Sequence, residues 1–257
     1  MTVGRNAATT GAPTATDQAA PARWARLTWQ DRDPEALAAG LARSLGLAVV
    51  RSGGVWRLEL GGEVLEVVPW RREGPQDEPA RGGRIVLEPI DGGARVPEIV
   101  PDAPLALAAV VWATVELDRA EAELAAWLLA ADPAAGDGDA PPDPLLGARA
   151  RRRRTIALPG RSLLLAEPTT EGRLAATLAR DGEGPCALYL RAGARLDTWA
   201  AAARARGVRL SDRRPGPLGP AVLLADAAAA GPHVLVVDAA GDTGSPAAAP
   251  SPGTIGS

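Results

Sequence analysis

Few side chains in this chain of 257 residues could carry chemistry alone: it has one His, His233, one Cys, Cys186, and one Tyr, Tyr189. Imidazole and thiolate are good ligands for transition metals, but a site needs several donors, and His233 has no Asp, Glu or Cys at a recognisable ligand spacing. A lone imidazole of this kind reads as structural or exposed. The single Cys rules out an internal disulfide framework and fits a reducing, cytoplasmic compartment. Asp33, Asp118 and Asp197 each open a helix-like run, where a carboxylate can cap the free backbone N–H groups; Asp33 followed by Pro34 is the clearest case. The four arginines 151–154 read as the start of a strand with half its side chains in solvent.

These residues need elements to position them, and the elements repeat. WARLTWQDRDPEALAAGLARSLG (24–46), LAAVVWATVELDRAEAELAAWLL (107–129) and CALYLRAGARLDTWAAAARARGV (186–208) each run from an apolar strand through an acidic helix start into an Ala/Leu-rich helix. The acidic starts lie 85 and 79 residues apart, a spacing that suits a repeated supersecondary unit. After the first helix, AVVRSGG, VWRLELGG and EVLEVVPW read as three short strands divided by Gly pairs, giving the order β-α-β-β-β. In the second unit RRRRTIALPG and RSLLLAEPT are strands with Pro159-Gly160 as the turn, with a weaker strand before them; the third offers VRLSDRRPG, PAVLLADAAAA and PHVLVVDA. Trp127 and Trp199 fall on helices at core spacing.

Composition bounds the rest. A hydrophobic content of 46% is ample for a core, and a net charge of −3 gives no electrostatic reason to bind nucleic acid or an anionic membrane. No run reaches the length of a membrane span or a signal peptide. Residues 1–21 and 241–257, rich in Ala, Thr, Pro, Gly and Ser, read as disordered tails. Between them the pattern divides into a divergent first βαβββ module (22–92), with a Pro/Gly-rich seam at 71–83, a linker (93–104) and a paired region (105–240), in which 132–144 reads as a loop.

The paired region resembles the vicinal oxygen chelate superfamily, which includes glyoxalases, bleomycin-resistance proteins, extradiol dioxygenases and methylmalonyl-CoA epimerases. The resemblance lies in ALAAVVWATVELDRAEAEL (106–124) and in the stretch from GEGPCALYLRAG to PHVLVVD (182–238). It implies an α+β protein of repeated βαβββ modules with the glyoxalase-like fold, in which mixed, curled sheets enclose a cavity and carry helices on the outer face. In that family a divalent metal takes one ligand from the first strand and one from the last strand of each unit, leaving open positions for two substrate oxygens. Carried over residue by residue, those positions fall at Ala109 and Leu164 in the second unit, and at Ala187 (or Cys186 one residue out of register) and Leu235 or Val236 in the third. Aliphatic side chains cannot ligate, so no metal and no cofactor is expected. In the first unit Glu66 takes the last-strand position, where strand alternation also reads it as a solvent-facing residue between Leu65 and Val67.

If Ala187 faces the cavity, alternation puts Tyr189 and Arg191 on the same wall, and Ala109 shares a face with Val111 and Ala113. Tyr189, Arg191, Val111 and Ala109 are therefore the candidate ligand-binding residues, and no catalytic residue can be assigned. The other reading of the pair has Tyr189 packed against the helices and Arg191 in water. The expected function is metal-free binding of a small apolar or aromatic anionic molecule in the sheet cavity, as bleomycin-resistance members do by sequestration. The alternatives are a metal-dependent lyase, isomerase or dioxygenase with relocated ligands, and an interaction scaffold with a filled cavity. The expected partner is a small molecule, with no nucleic acid and no membrane, in a monomer or homodimer.

Overall fold

The computed structural model describes residues 24–71, 83–90, 103–158, 160–225 and 232–238. The expected tails, most of the seam and linker, and Pro159 and Gly231 lie outside the described residues.

The first unit comprises β1 (Trp24–Asp31), α1 (Pro34–Leu45), β2 (Val49–Ser52), β3 (Val55–Leu60) and β4 (Glu63–Pro69). Asp33 caps α1 as its sequence requires, Oδ1 accepting from Ala36 N at 3.0 Å, and Gly46 ends the helix in the left-handed region with φ 73°. The hairpins turn on Gly53-Gly54 and Gly61-Gly62, all four at positive φ, which is the conformation that two-residue hairpin loops demand. A further strand, β5 (Arg84–Ile90), closes the open side of β1, giving a sheet of order β2-β3-β4-β1-β5 in which only the β1/β4 pair is parallel.

The second unit runs β6 (Leu105–Ala113), α2 (Leu117–Glu123), β7 (Gly138–Asp143), β8 (Ala148–Arg154) and β9 (Ser162–Pro168). After α3 (Arg173–Asp181) the third runs β10 (Gly184–Ala192), α4 (Leu196–Ala205), β11 (Ala221–Leu223) and β12 (His233–Val237). These strands form one sheet of order β11-β12-β10-β6-β9-β8-β7. In both units the first and last strands are parallel neighbours (β6/β9 and β10/β12), and the two first strands join the units antiparallel. The fold is thus α+β, with the βαβββ order complete in the first two units and reduced in the third to β10-α4-β11-β12, its expected middle strand left as isolated bridges.

Several local expectations are corrected. Asp118 and Asp197 sit inside the first turn of α2 and α4, so their side chains make no cap; they pair instead with Arg151 and Arg213. The 132–144 stretch contains a 3-10 turn and the edge strand β7, where Pro141 and Pro142 are tolerated because β7 has a neighbour on one side only and its ladder is irregular. In the third unit VRLSDRRPG makes only isolated bridges at Leu210 and Arg214, since Pro215 and Pro217 supply no backbone donors. Arginines 151–154 are not half in solvent. They hold Asp118, Glu121, Asp132, Asp137, Asp139 and Ser162, tying the loop and α2 to β8.

One apolar core takes Leu27, Trp29, Leu65 and Val67 from the first sheet, Leu188, Leu190, Val234 and Val236 from the second, and the buried faces of α1 and α4. A second, separate core lies on the opposite face of the seven-stranded sheet.

Candidate functional site

The inner face of the seven-stranded sheet, opposite α2 and α4, is where the resemblance places the site. A bulge in β6 between the residues facing Tyr189 and Leu190 sets which side chains reach it. Ala109, Val111 and Ala113 of β6, Leu164 of β9, Ala187 and Tyr189 of β10 and Leu235 of β12 all lie there in a single packed cluster; Val236 faces the other way. The structure therefore brings together one full set of the positions to which the resemblance carries metal ligands, and every one is buried and aliphatic.

The face is covered. Leu174 and Leu178 of α3 and Leu145, Leu146 and Leu218 from two loops pack onto it, and Leu174 N donates to Leu146 O at 3.0 Å. Tyr189 is fully buried, its hydroxyl donating to Asp143 Oδ2 at 2.5 Å, while Asp143 Oδ1 accepts from Leu145 N and Leu146 N at 3.0 and 3.1 Å. Burial raises the Asp143 carboxyl above its ordinary range despite these three donors, and burial with the neighbouring Asp143 pushes the Tyr189 phenol well up. The carboxylate is thus a fastener for the loop at 143–147. Arg191 stands in register with Val237, half-buried, and its charge is felt by Arg161. Of the four candidate ligand-binding residues, Ala109, Val111 and Tyr189 are packed together, and Arg191 lies at the end of the same strand.

His233 opens β12 beside Ala187, buried on the inner face, with Nε2 3.4 Å from Thr177 Oγ1 of α3 and Nδ1 without a partner. Burial, with Arg173 and Arg180 nearby, lowers its pKa to about 4, so the ring is neutral at pH 7. Burial likewise pushes the Cys186 thiol up to about 12, which leaves no thiolate to ligate or attack. Glu66 lies on the first sheet, held by Arg57 at 3.0 Å and Arg26 at 3.6 Å, and does not converge with Cys186 and His233. Among the described residues no three His, Cys, Asp or Glu side chains form a set able to hold a metal ion. The residues of the inner face do not fit a divalent metal.

Sequence reasoning missed α3, Asp143 and Thr177. The signal for α3 was present in GRLAATLARD, with Leu174, Thr177 and Leu178 at helical spacing. Nothing local marked Asp143, whose role depends on a phenol 46 residues away.

With this geometry in view, the chain was compared with known proteins. No family model and no curated protein matches it. Solved structures do. Methylmalonyl-CoA epimerase from Mycobacterium tuberculosis is similar at 22% identity over 51% of this chain and 86% of its own, with a TM-score of 0.39. A methylmalonyl-CoA epimerase in complex with methylmalonyl-CoA and ammonium is similar at 22% identity over 54% and 96%, TM-score 0.42. A hypothetical protein from Bacillus halodurans is similar at 17% identity over 53% and 95%, TM-score 0.41. These neighbours are members of the vicinal oxygen chelate superfamily. The likeness is one of fold. No helix among the described residues is long and apolar enough to cross a membrane.

Proposed function

We propose that this chain is a metal-independent, non-catalytic protein on the glyoxalase-like plan, which holds a small apolar or aromatic molecule rather than converting one. The observation that carries the reading is the aliphatic set Ala109, Leu164, Ala187 and Leu235, buried side by side where a Lewis-acid centre would need oxygen and nitrogen donors. The two residues on this face that could have served in acid–base work are held back from it. The His233 ring is neutral and packed against Thr177, and the Asp143 carboxylate is spent on Tyr189 and two backbone N–H groups. A ligand on this face would have to displace α3, so its place is elsewhere on the molecule.

Metal analysis of the full chain, purified without chelator and dialysed, tests the reading. Substoichiometric Mn, Fe, Co, Ni and Zn and a melting temperature indifferent to each added ion are expected. One equivalent of metal that survives dialysis and raises the melting temperature would establish the enzyme reading instead.

A further inference from the structure

One cavity lies away from the aliphatic set of the inner face. It is a cleft of about 520 Å³ where the open side of β5 meets the start of β10, within the range of small-molecule sites. Three of the seven tryptophans, Trp70, Trp112 and Trp127, line it, together with Arg84 to Leu87 of β5 and Pro185 of β10. All three indoles are only partly buried; Trp112 and Trp127 pack against the main core, and the backbone at Trp70 and Trp127 is tied down. Trp70 N donates to Asp31 O at 2.8 Å and its ring lies under the Arg84 guanidinium at 4.7 Å. The Trp127 carbonyl accepts from Thr155 Oγ1 and Ile156 N. Rigid aromatic walls bind flat rings at small cost in side-chain entropy.

The polar groups select further. The Trp70 indole N–H is buried without a hydrogen-bond partner, a donor left with the cost of its desolvation. β5 is the terminal strand of its sheet, so alternate peptide groups along it point away from β1. The acids of the cleft are already engaged: Asp181 by Arg180 at 2.7 Å, and Glu183 by Arg119, Thr114 and Val115 N. What the cleft offers a ligand is flat apolar surface and N–H donors.

We propose that this cleft is the ligand site, and that it takes a planar aromatic molecule bearing a carbonyl or carboxylate acceptor, its ring against the indoles and its oxygen on the Trp70 N–H. This deepens the proposed binding role and rests on it. Cys186 and Thr177 reach the cleft wall from the inner face, and the aliphatic set at Ala109, Leu164, Ala187 and Leu235 takes no part.

The probe is 2-naphthoate, titrated into the full chain labelled with 5-fluorotryptophan and followed by fluorine NMR, with lines assigned by single Trp→Phe variants. Saturable shifts of the Trp70, Trp112 and Trp127 lines are expected, with Trp56 and Trp199 unmoved. Cyclohexanecarboxylate, which keeps the acceptor and loses the flat ring, should give no saturable shift. Trp70→Phe keeps a ring and removes the donor, and should weaken 2-naphthoate by about tenfold, the effect of one buried hydrogen bond. A Trp127→Leu variant that weakens it as well guards against a folding defect at position 70. Shifts confined to Trp199, or binding lost in Tyr189→Phe and kept in Trp70→Phe, would put the ligand on another surface, overturning this site while leaving the binding role intact. No saturable shift up to the solubility of the probe would overturn the site and its ligand class, and the metal analysis would then stand alone.

Discussion

Glu66 in β4, Leu164 in β9 and Leu235 in β12 occupy the same place in the three repeated units, on the strand beside the first and on the face away from the unit's helix. On the five-stranded sheet Glu66 lies between Arg26 and Arg57, two partly exposed guanidinium groups. On the seven-stranded sheet Leu164 and Leu235 are sealed beneath α3 and the loops at 145–146 and 218. The unit itself leaves the chemistry of this face open. What decides it is whether the chain supplies a cover: the link between β9 and β10 folds into an amphipathic helix, and the first sheet gets none from the described residues. The strands are written accordingly. β9 reads SLLLA because both its faces are buried, whereas β4 sets Glu66 between Leu65 and Val67, on a half-buried face with two partly exposed arginines beside it.

The comparison breaks first if α3 is not a true cover. Leu174→Ala removes a fully buried side chain at the centre of the lid and should cost about 2–5 kcal/mol in chemical denaturation, as core deletions do. A loss under about 1 kcal/mol, the level of a surface change, would mean that the inner face opens and that the two faces are alike.

A second prediction uses pH. His233 has a folded pKa of about 4 against an ordinary 6.5, so between those values the unfolded chain takes up a proton that the folded chain refuses. Stability should therefore fall as pH drops from about 6.5 to about 4, by about 3 kcal/mol for this group. Asp143, whose carboxyl is raised by burial, contributes with the opposite sign, so the effect is read as the difference between wild type and His233→Gln. Parallel curves for the two proteins would place the imidazole in water and remove the contrast with the exposed first sheet.

The smallest effect belongs to the open face. Glu66→Gln should cost less than about 1 kcal/mol, because an ion pair with partly exposed arginines gains little over hydration, and 1 M salt should erase most of it. A cost equal to that of Leu174→Ala would show that the ladder is part of a buried site.

Much of this was legible in the sequence, and the limits have physical causes. The repeated strand and helix starts show in hydrophobic period and in Gly pairs that only a left-handed turn explains, and Asp33-Pro34 marks a helix start on its own. The four aliphatic positions could be read because a side chain without a donor cannot ligate in any packing. Closure of the inner face could not be read. It depends on α3 folding back over β6, at the start of the preceding unit, and on Tyr189 finding Asp143, neither of which leaves a periodic trace. β5 was hidden for another reason: RIVLEPI is a plausible strand with no neighbour named by sequence until it lies along β1.

Gly61 carries a consequence for how the units can be exchanged. A Cβ at that position would overlap the methyl of Ala106 at the start of β6, and the Gly61 carbonyl accepts from the buried Arg161 guanidinium at 2.9 Å. At the other end of the unit Arg206, just past α4, donates to the carbonyls of Arg43 and Ser44, occupying the acceptors that α1 leaves at its own C-terminus. A unit with its own core can in principle fold as a separate piece. Here the first copy has been grafted at both ends, backbone against side chain, so cutting it away would strand two arginines and open the main core to water. The order of its strands matches that of the second unit, but its freedom as a separate piece is gone.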